Sequence, residues 1–426
     1  MISFGHCLGK LPISLHRAQQ LKIANQDTLF VLRSPVFLIP LIPVLSQMIE
    51  PVRHTGATVV GRAPYTCPQG TAYTLAGDGC AGAQDNGSVR RPDYFWGFIN
   101  GVVYPTRPPW NVAGVDYAVG YSGTLKDPSV PNSLPLCVEG SGNTRRIDAD
   151  VQPCVLDHFD FSLNGGYCFK ITGANRNTVV FSNDLFSHGP SNCTEHSGWI
   201  FIDRDTKANI LVQDSEFDDN YSSHSNGAIT TSGDGDITVS YSAALGITGR
   251  LENVNNGATG SITNKYNYVE GIGNGEEHGE IVEINTKEPY VYNENWNNYY
   301  ASDTNCCDTA LLYITSGAPG PQGPGLLLSA TASYNVLIAR ANPTQKNEVT
   351  VSAPIWVDTT FTNDIETLAV DNNYIDPSGS YHAVFVYPPN DTGSIGAASC
   401  VGNTSLKTGL PIKGTFGSKS SVLVCR

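Results

Sequence analysis

Between Val179 and Asn298 a pattern of apolar and polar positions recurs. A short β-prone run is followed by two to four Asn, Asp or Ser residues and then by one large aromatic. Val179–Phe186, Ile210–Phe217, Ser261–Tyr268 and Pro289–Trp296 carry it most clearly, and weaker copies end at Phe161, Tyr241, Tyr334, Trp356 and Tyr374. The aromatics Phe161, Phe186, Phe217, Tyr241, Tyr268 and Trp296 lie 25, 31, 24, 27 and 28 residues apart. Self-similarity at such a period is the mark of a solenoid or an array. The runs are rich in Val, Ile, Thr, Tyr and Phe, with Gly, Asn, Asp and Ser between them, which is strand-and-turn chemistry. No stretch keeps helical spacing long enough for paired helices, and the Leu/Asn signature of leucine-rich repeats is absent. The pattern therefore predicts an all-β coil of short parallel strands, three to a turn of roughly 22–30 residues.

This pattern resembles the right-handed parallel β-helix superfamily, the pectate-lyase-like fold, over about 140 to 395. The polar pairs Asp218-Asp219, Asn297-Asn298 and Asn372-Asn373 look like the Asn ladders of that fold's tight turns, where Asn tolerates the left-handed conformation and its amide bonds to the next coil. The resemblance is one of pattern, and no catalytic motif of a named lyase or hydrolase family is present. It implies a fold with capped ends, because an open coil exposes unpaired backbone. We expect residues 1–50 to be a leader, 51–135 a loop-rich N-terminal cap, 136–395 the β-helix and 396–426 a C-terminal cap. The stretch Arg107–Gly120, which begins Arg-Pro-Pro-Trp, falls in the first cap. Gly317–Gly325 has a collagen-like look but is too short for a triple helix, and reads as a long loop between coils.

Composition narrows the setting. The chain has 426 residues, a net charge of −14 and only 15% charged residues. The balance argues against nucleic acid and anionic membrane as partners. Basic residues followed by the apolar run Val36–Leu45 suggest a secretory leader, although Pro35, Pro40 and Pro43 make it an unusual one. The run is too short to span a bilayer. Setting aside Cys7 leaves an even number of cysteines, which in a secreted chain suggests disulfides. Proximity favours Cys67–Cys80, Cys137–Cys154, Cys168–Cys193 and Cys400–Cys425, with Cys306 and Cys307 unassigned. Glycosylation sequons stand at Asn86, Asn192, Asn220, Asn390 and Asn403. The expected location is extracellular.

The candidate chemistry lies past the repeated aromatics. His196, His224, His278 and His382 follow at a similar distance, with Cys306 in the equivalent place. Glu276, Glu277, His278, Glu280 and Glu283 form the densest cluster, and Ile281 and Ile284 place a strand start near Glu280. Three chemistries fit these residue types. In β-elimination on a polysaccharide, His278 or His224 acts as the base, and Ca²⁺ held by Glu276, Glu277 and Asp218 quiets the substrate carboxylate. In glycoside hydrolysis, Glu277 pairs with Asp218 or Glu280. In a metal site, His196, His224 and His278 hold Zn²⁺ or a similar ion. The expected catalytic set is thus His278, Glu277, His224 and Glu280, with Glu276, Asp218 and His196 as metal ligands. The partner is a polysaccharide or cell-surface glycan. The same residues also fit a purely structural ladder, in which case the chain is a non-catalytic adhesive or filament-forming β-helix.

Overall fold

The computed structural model describes residues 104–187, 198–219, 227–247, 249–255, 257–272, 280–301, 308–315, 325–339, 351–359, 364–387, 393–418 and 420–426, with short pieces at 72–73, 80–81, 89, 98–99 and 102–103. Alternation decides which way each strand faces. In Asp234–Ser240, Ile237 and Val239 are buried while Asp236 and Thr238 are half-exposed. One coil runs Gly227–Thr231, Asp234–Ser240, Ala243–Leu245, each in a different parallel sheet. Arg250–Val254 then pairs with Gly227–Thr231 one layer on. We number the sheets first, second and third in that order around the coil.

The second sheet has nine strands, the third eight and the first seven. Asp308–Ile314, Val351–Asp358 and Val384–Tyr387 form a further three-stranded ladder that continues the first sheet's stack. The inward side chains make one continuous core. Among the described residues the only helical element is the 3₁₀ turn Leu163–Gly165. None of their helices is long and apolar enough to cross a membrane. The chain is an all-β parallel solenoid, as its repeat predicts.

The second and third sheets meet at a tight corner. Its first residue is left-handed in every coil: His158, Asn183, Asp214, Tyr241, Tyr266, Trp296, Tyr334, Asn372 and Gly402 all have positive φ. The residue after it points into the core. From Asn267 onward that residue is Asn297, Asn335, Asn373 and Asn403, and each backbone N–H donates to the next coil's Oδ1 at 2.9–3.0 Å. Ser242 and Ser215 continue the ladder towards the N-terminus through their hydroxyls. Buried amides are thereby satisfied where the sheet ladder breaks. Asn297 and Asn373 are the expected ladder residues. Asp218-Asp219, by contrast, stands at the far end of a third-sheet strand and takes no part. Asn403 is fully buried with its amide in the ladder, so its sequon is not available for a glycan.

The repeated aromatics turn out to occupy three different places. Phe161, Phe186 and Phe217 stack inside the core, with centroids 5.0 and 4.8 Å apart. Tyr241 and Trp296 hold the left-handed corner position outside it. Tyr268 faces outward from the third sheet but is buried. The period is real, while the single column it suggests is not.

What buries Tyr268 is the segment Tyr104–Lys126, which includes Arg107–Gly120. This strap does more than cap the first coil, since it runs along the outer face of the third sheet. At one end the Tyr104 hydroxyl donates to Asp376 Oδ2 at 2.6 Å, and Val112 and Val115 pack with Tyr300, Val336, Ile338 and Leu406. Midway, Ala113 and Tyr117 pack on Ala243 and Tyr268, and Asn298 Nδ2 donates to the Ala113 carbonyl at 3.0 Å. Gly114 has φ +71°, and a Cβ there would lie 2.5 Å from the Tyr268 ring, so only glycine lets the strap lie flat. At the other end the Lys126 N–H bonds the His158 carbonyl.

Beyond the strap, Val138–Glu139 pairs antiparallel with Thr144–Asp148, and the Cys137–Cys154 disulfide closes the first coil. At the C-terminus the hairpin Gly414–Ser418/Ser421–Cys425 adds Leu423 to the core and is tied back by Cys400–Cys425. Both disulfides match the proximity pairing. Cys168 is also disulfide-bonded. Cys67, Cys193, Cys306, Cys307, residues 1–50, residues 317–324 of the collagen-like stretch and the sequons other than Asn403 lie outside the described residues.

Candidate glycan-binding face

The three-stranded ladder that continues the first sheet's stack, counted with that sheet from here on, places aromatics between inward aliphatics. Leu312 and Ile314, Ile355 and Val357, and Val384 and Val386 are buried in the core. Alternation therefore turns Tyr313, Trp356 and Phe385 outward, and the strand register sets them side by side. Tyr313 meets Trp356 at 6.0 Å and 85°, and Trp356 meets Phe385 at 5.0 Å and 90°. Tyr387 joins from the same strand at 5.7 Å and 72° to Trp356. His382 stacks on Phe385 at 5.0 Å and 9°, and Tyr381 beside it is 74% exposed. Tyr313, Trp356 and Phe385 are each half-buried.

Carboxylates border this cluster. The Tyr313 hydroxyl donates to Asp358 Oδ2 at 2.7 Å. Burial, then the charge of Asp358 and that hydrogen bond, then Glu280 and Glu283, push the Tyr313 phenol far up, so it stays protonated as a donor. Glu280 and Glu283 thus act on the same face. Arg250 bridges them, with Nε 3.2 Å from Glu280 and 2.5 Å from Glu283. Glu280 is 2% exposed and Arg250 8%. A buried carboxylate is tolerated when paired in this way. Glu280 stands two residues before the strand Val282–Ile284, near the start that Ile281 and Ile284 suggest, but its carboxylate is held by Arg250 rather than presented to solvent.

Asp218, the other described member of the expected site, ends the third-sheet strand Glu216–Asp218. The first-sheet strands Gly227–Thr231 and Arg250–Val254 lie between its corner and that of Glu280. Glu276, Glu277, His278, His196 and His224 lie outside the described residues. Among the described residues no group of three or more His, Cys, Asp or Glu converges as metal ligands do. Arg250, Tyr313, Asp358, Phe385 and Tyr387 were not singled out from the sequence. Their signal was an aromatic flanked by aliphatics in Leu-Tyr-Ile, Ile-Trp-Val and Val-Phe-Val-Tyr.

A second aromatic array stands at the corner of the second and third sheets. Tyr241, Tyr266, Trp296 and Tyr334 stack face to face at 4.9, 5.5 and 5.0 Å, with planes within 18°. Trp110 of the strap meets Tyr334 and Tyr374 edge-on at 5.5 and 5.2 Å. Asp214 is the next residue along this column, and burial pushes its carboxyl up to about 7. Burial first, then Tyr266 and Asp214, push the Tyr241 phenol up to about 12. Sugar rings bind aromatic faces through their apolar C–H faces, and here the faces are already paired. In the first-sheet cluster the contacts of Trp356 are edge-on, the one parallel contact is His382 on Phe385, and the rings remain half-exposed or exposed.

Comparison of the chain with protein-family models, with curated proteins and with solved structures finds no match.

Proposed function

We propose that this chain is a secreted β-helix protein that binds extracellular polysaccharide across the outer face of the first sheet. The observation that supports it most is the outward column Tyr313, Trp356, Phe385, with Tyr387 and His382 beside it and Asp358 and Glu283 at its border. Half-exposed rings at right angles offer stacking surfaces, and neighbouring carboxylates accept hydrogen bonds from sugar hydroxyls. The strands are about 4.8 Å apart, so three of them span roughly the length of two sugar units. The disulfides Cys137–Cys154 and Cys400–Cys425 favour an oxidising, extracellular setting. The resemblance to the pectate-lyase-like superfamily points the same way, by analogy of fold alone.

Cleavage of the bound chain is the further reading of this face. Glu276, Glu277 and His278, which lie outside the described residues, precede Glu280 in the sequence and are the residue types of a base and Ca²⁺ ligands. The test is affinity electrophoresis of the purified protein in gels containing neutral or uronate polysaccharides, with and without Ca²⁺, while absorbance at 235 nm and reducing ends are followed in solution. Retardation lost in Trp356→Ala supports the binding face. A 235 nm signal lost in His278→Ala establishes a lyase. No retardation by any polysaccharide would end the proposal and favour the adhesive or filament-forming alternative.

A further inference from the structure

The asparagine ladder defines what its position demands. Each Asn accepts a backbone N–H through Oδ1 and donates through Nδ2 to a carbonyl of the preceding coil. Asn267 donates to Val239, Asn297 to Asn264, Asn335 to Glu294, Asn373 to Ala332 and Asn403 to Val370, at 2.6–3.0 Å. In every case that carbonyl lies three residues before the preceding ladder residue. Asp184 holds the same position in an earlier coil. Its Oδ1 accepts the Phe159 N–H at 2.7 Å, and its own N–H donates to Ser215 Oγ at 3.1 Å. Its Oδ2 is buried and has no partner. By the rule of the ladder the matching carbonyl belongs to Leu156, which is fully buried.

A carboxylate cannot donate to that carbonyl, whereas a carboxylic acid can. We infer that Asp184 is a neutral acid in the folded protein, standing in for asparagine with its proton on Oδ2 directed at the Leu156 carbonyl. Burial pushes its carboxyl well up; Asp157 adds to this, while backbone N–H groups of Phe159 and Ser182 and the charge of Lys126 oppose it.

A second buried acid follows the same logic from different contacts. Asn264 Nδ2 donates to Glu252 Oε2 at 2.7 Å, yet Glu252 Oε1 and Asn264 Oδ1 are both buried without partners. One proton on Glu252 Oε1, donated to Asn264 Oδ1, satisfies both and closes an acid–amide ring. Burial pushes this carboxyl up to about 8. The ionisable groups around it are Glu294, Tyr290, Tyr292 and Tyr299, all fully buried. Burial, then the Glu252 carboxyl, push Glu294 up as well, but both of its oxygens already accept hydrogen bonds, from Asn264, Asn297 and Tyr299.

The consequence is a solenoid favoured by acid. Each of the two groups keeps its proton when folded and releases it on unfolding above a pH of about 4. Stability is full below that pH and falls as pH rises towards the folded value, with the unfolding constant growing about tenfold per pH unit for each group. The experiment uses the full chain, with denaturant midpoints from pH 4 to 9 and the carboxylic-acid C=O band in difference infrared spectra at pH 7. Asp184→Asn and Glu252→Gln should each flatten the fall in midpoint and remove one component of the acid band. Asp184→Ser, the residue found at the next two ladder positions, tests the same site should Asp184→Asn fail to fold, and should also remove its component. Absence of any acid band in the wild type would overturn the inference. So would an acid band and midpoint slope left unchanged by both Asp184 variants.

Discussion

The two aromatic arrays use the same residue types for opposite ends. In the corner stack Tyr241, Tyr266, Trp296 and Tyr334 lie parallel, and each interior ring has both faces covered by its neighbours. In the first-sheet cluster Trp356 meets Tyr313, Phe385 and Tyr387 at 72–90°, and the one parallel contact is that of His382 with Phe385. The corner rings sit on left-handed backbone, which costs a bulky residue about 1–2 kcal/mol. Each stacked pair returns about 0.5–1.5 kcal/mol beyond its buried area. Such an array holds coils together. The first-sheet rings sit on ordinary strand backbone, gain from edge contacts with one another and remain half-exposed or exposed. Ring orientation, more than ring count, separates the stacked array from the one proposed to bind glycan.

Substitutions break this comparison in a definite order. The largest effect should come from Trp296→Ala, which removes two stacks and leaves alanine on left-handed backbone. We expect a loss of about 3 kcal/mol in the denaturant midpoint, with polysaccharide retardation unchanged. Trp356→Ala should do the reverse. Affinity should fall about 30-fold by titration calorimetry, as for a central binding residue, while the midpoint moves by less than about 1 kcal/mol. A drop in both quantities for either variant would mean that the two arrays are not separate.

Asp214→Asn sharpens the end of the stack. The carboxyl that burial raises to about 7 makes the folded state the better proton binder. Its contribution is present below a pH of about 4 and is lost as pH rises through 7. Asparagine suits the left-handed position, as Asn183 does one coil earlier. The variant should gain about 1 kcal/mol at pH 8 and nothing at pH 4, after allowance for partial solvent exposure. The smallest effect is expected for Trp110→Ala, at about 1 kcal/mol or less, seen as faster hydrogen exchange of the Gly114 and Gly120 amides while the coil strands remain protected.

The architecture was legible in the sequence because strand alternation and corner residues recur at a fixed interval. Asn297 and Asn373 announced the ladder, and Cys137–Cys154 and Cys400–Cys425 followed from proximity. The arrangement of the aromatics was less legible, since inward, corner and outward positions are only a few residues apart and a loose motif merges them. Trp296 and Phe217 look alike in the pattern, although one is half-exposed on left-handed backbone and the other is core. The Arg250–Glu280–Glu283 cluster was hidden for a different reason: its members come from successive coils, and the loop lengths that decide which meet are not periodic. Glu280 read as a free acid because nothing in its local sequence names Arg250 as its partner.

The strap has a consequence for the order in which the molecule is made. Tyr104 and Trp110 leave the ribosome early, yet the surfaces that receive them, Tyr334, Tyr374 and Asp376, emerge more than 220 residues later. Coils can stack one upon another as they appear, whereas the strap must wait until nearly all of them exist. Its docking therefore marks completion. A nascent chain stalled before Tyr334 would hold the Tyr104 end of the strap without the surfaces that receive it, leaving Tyr300 open to any chaperone or neighbouring chain that meets it.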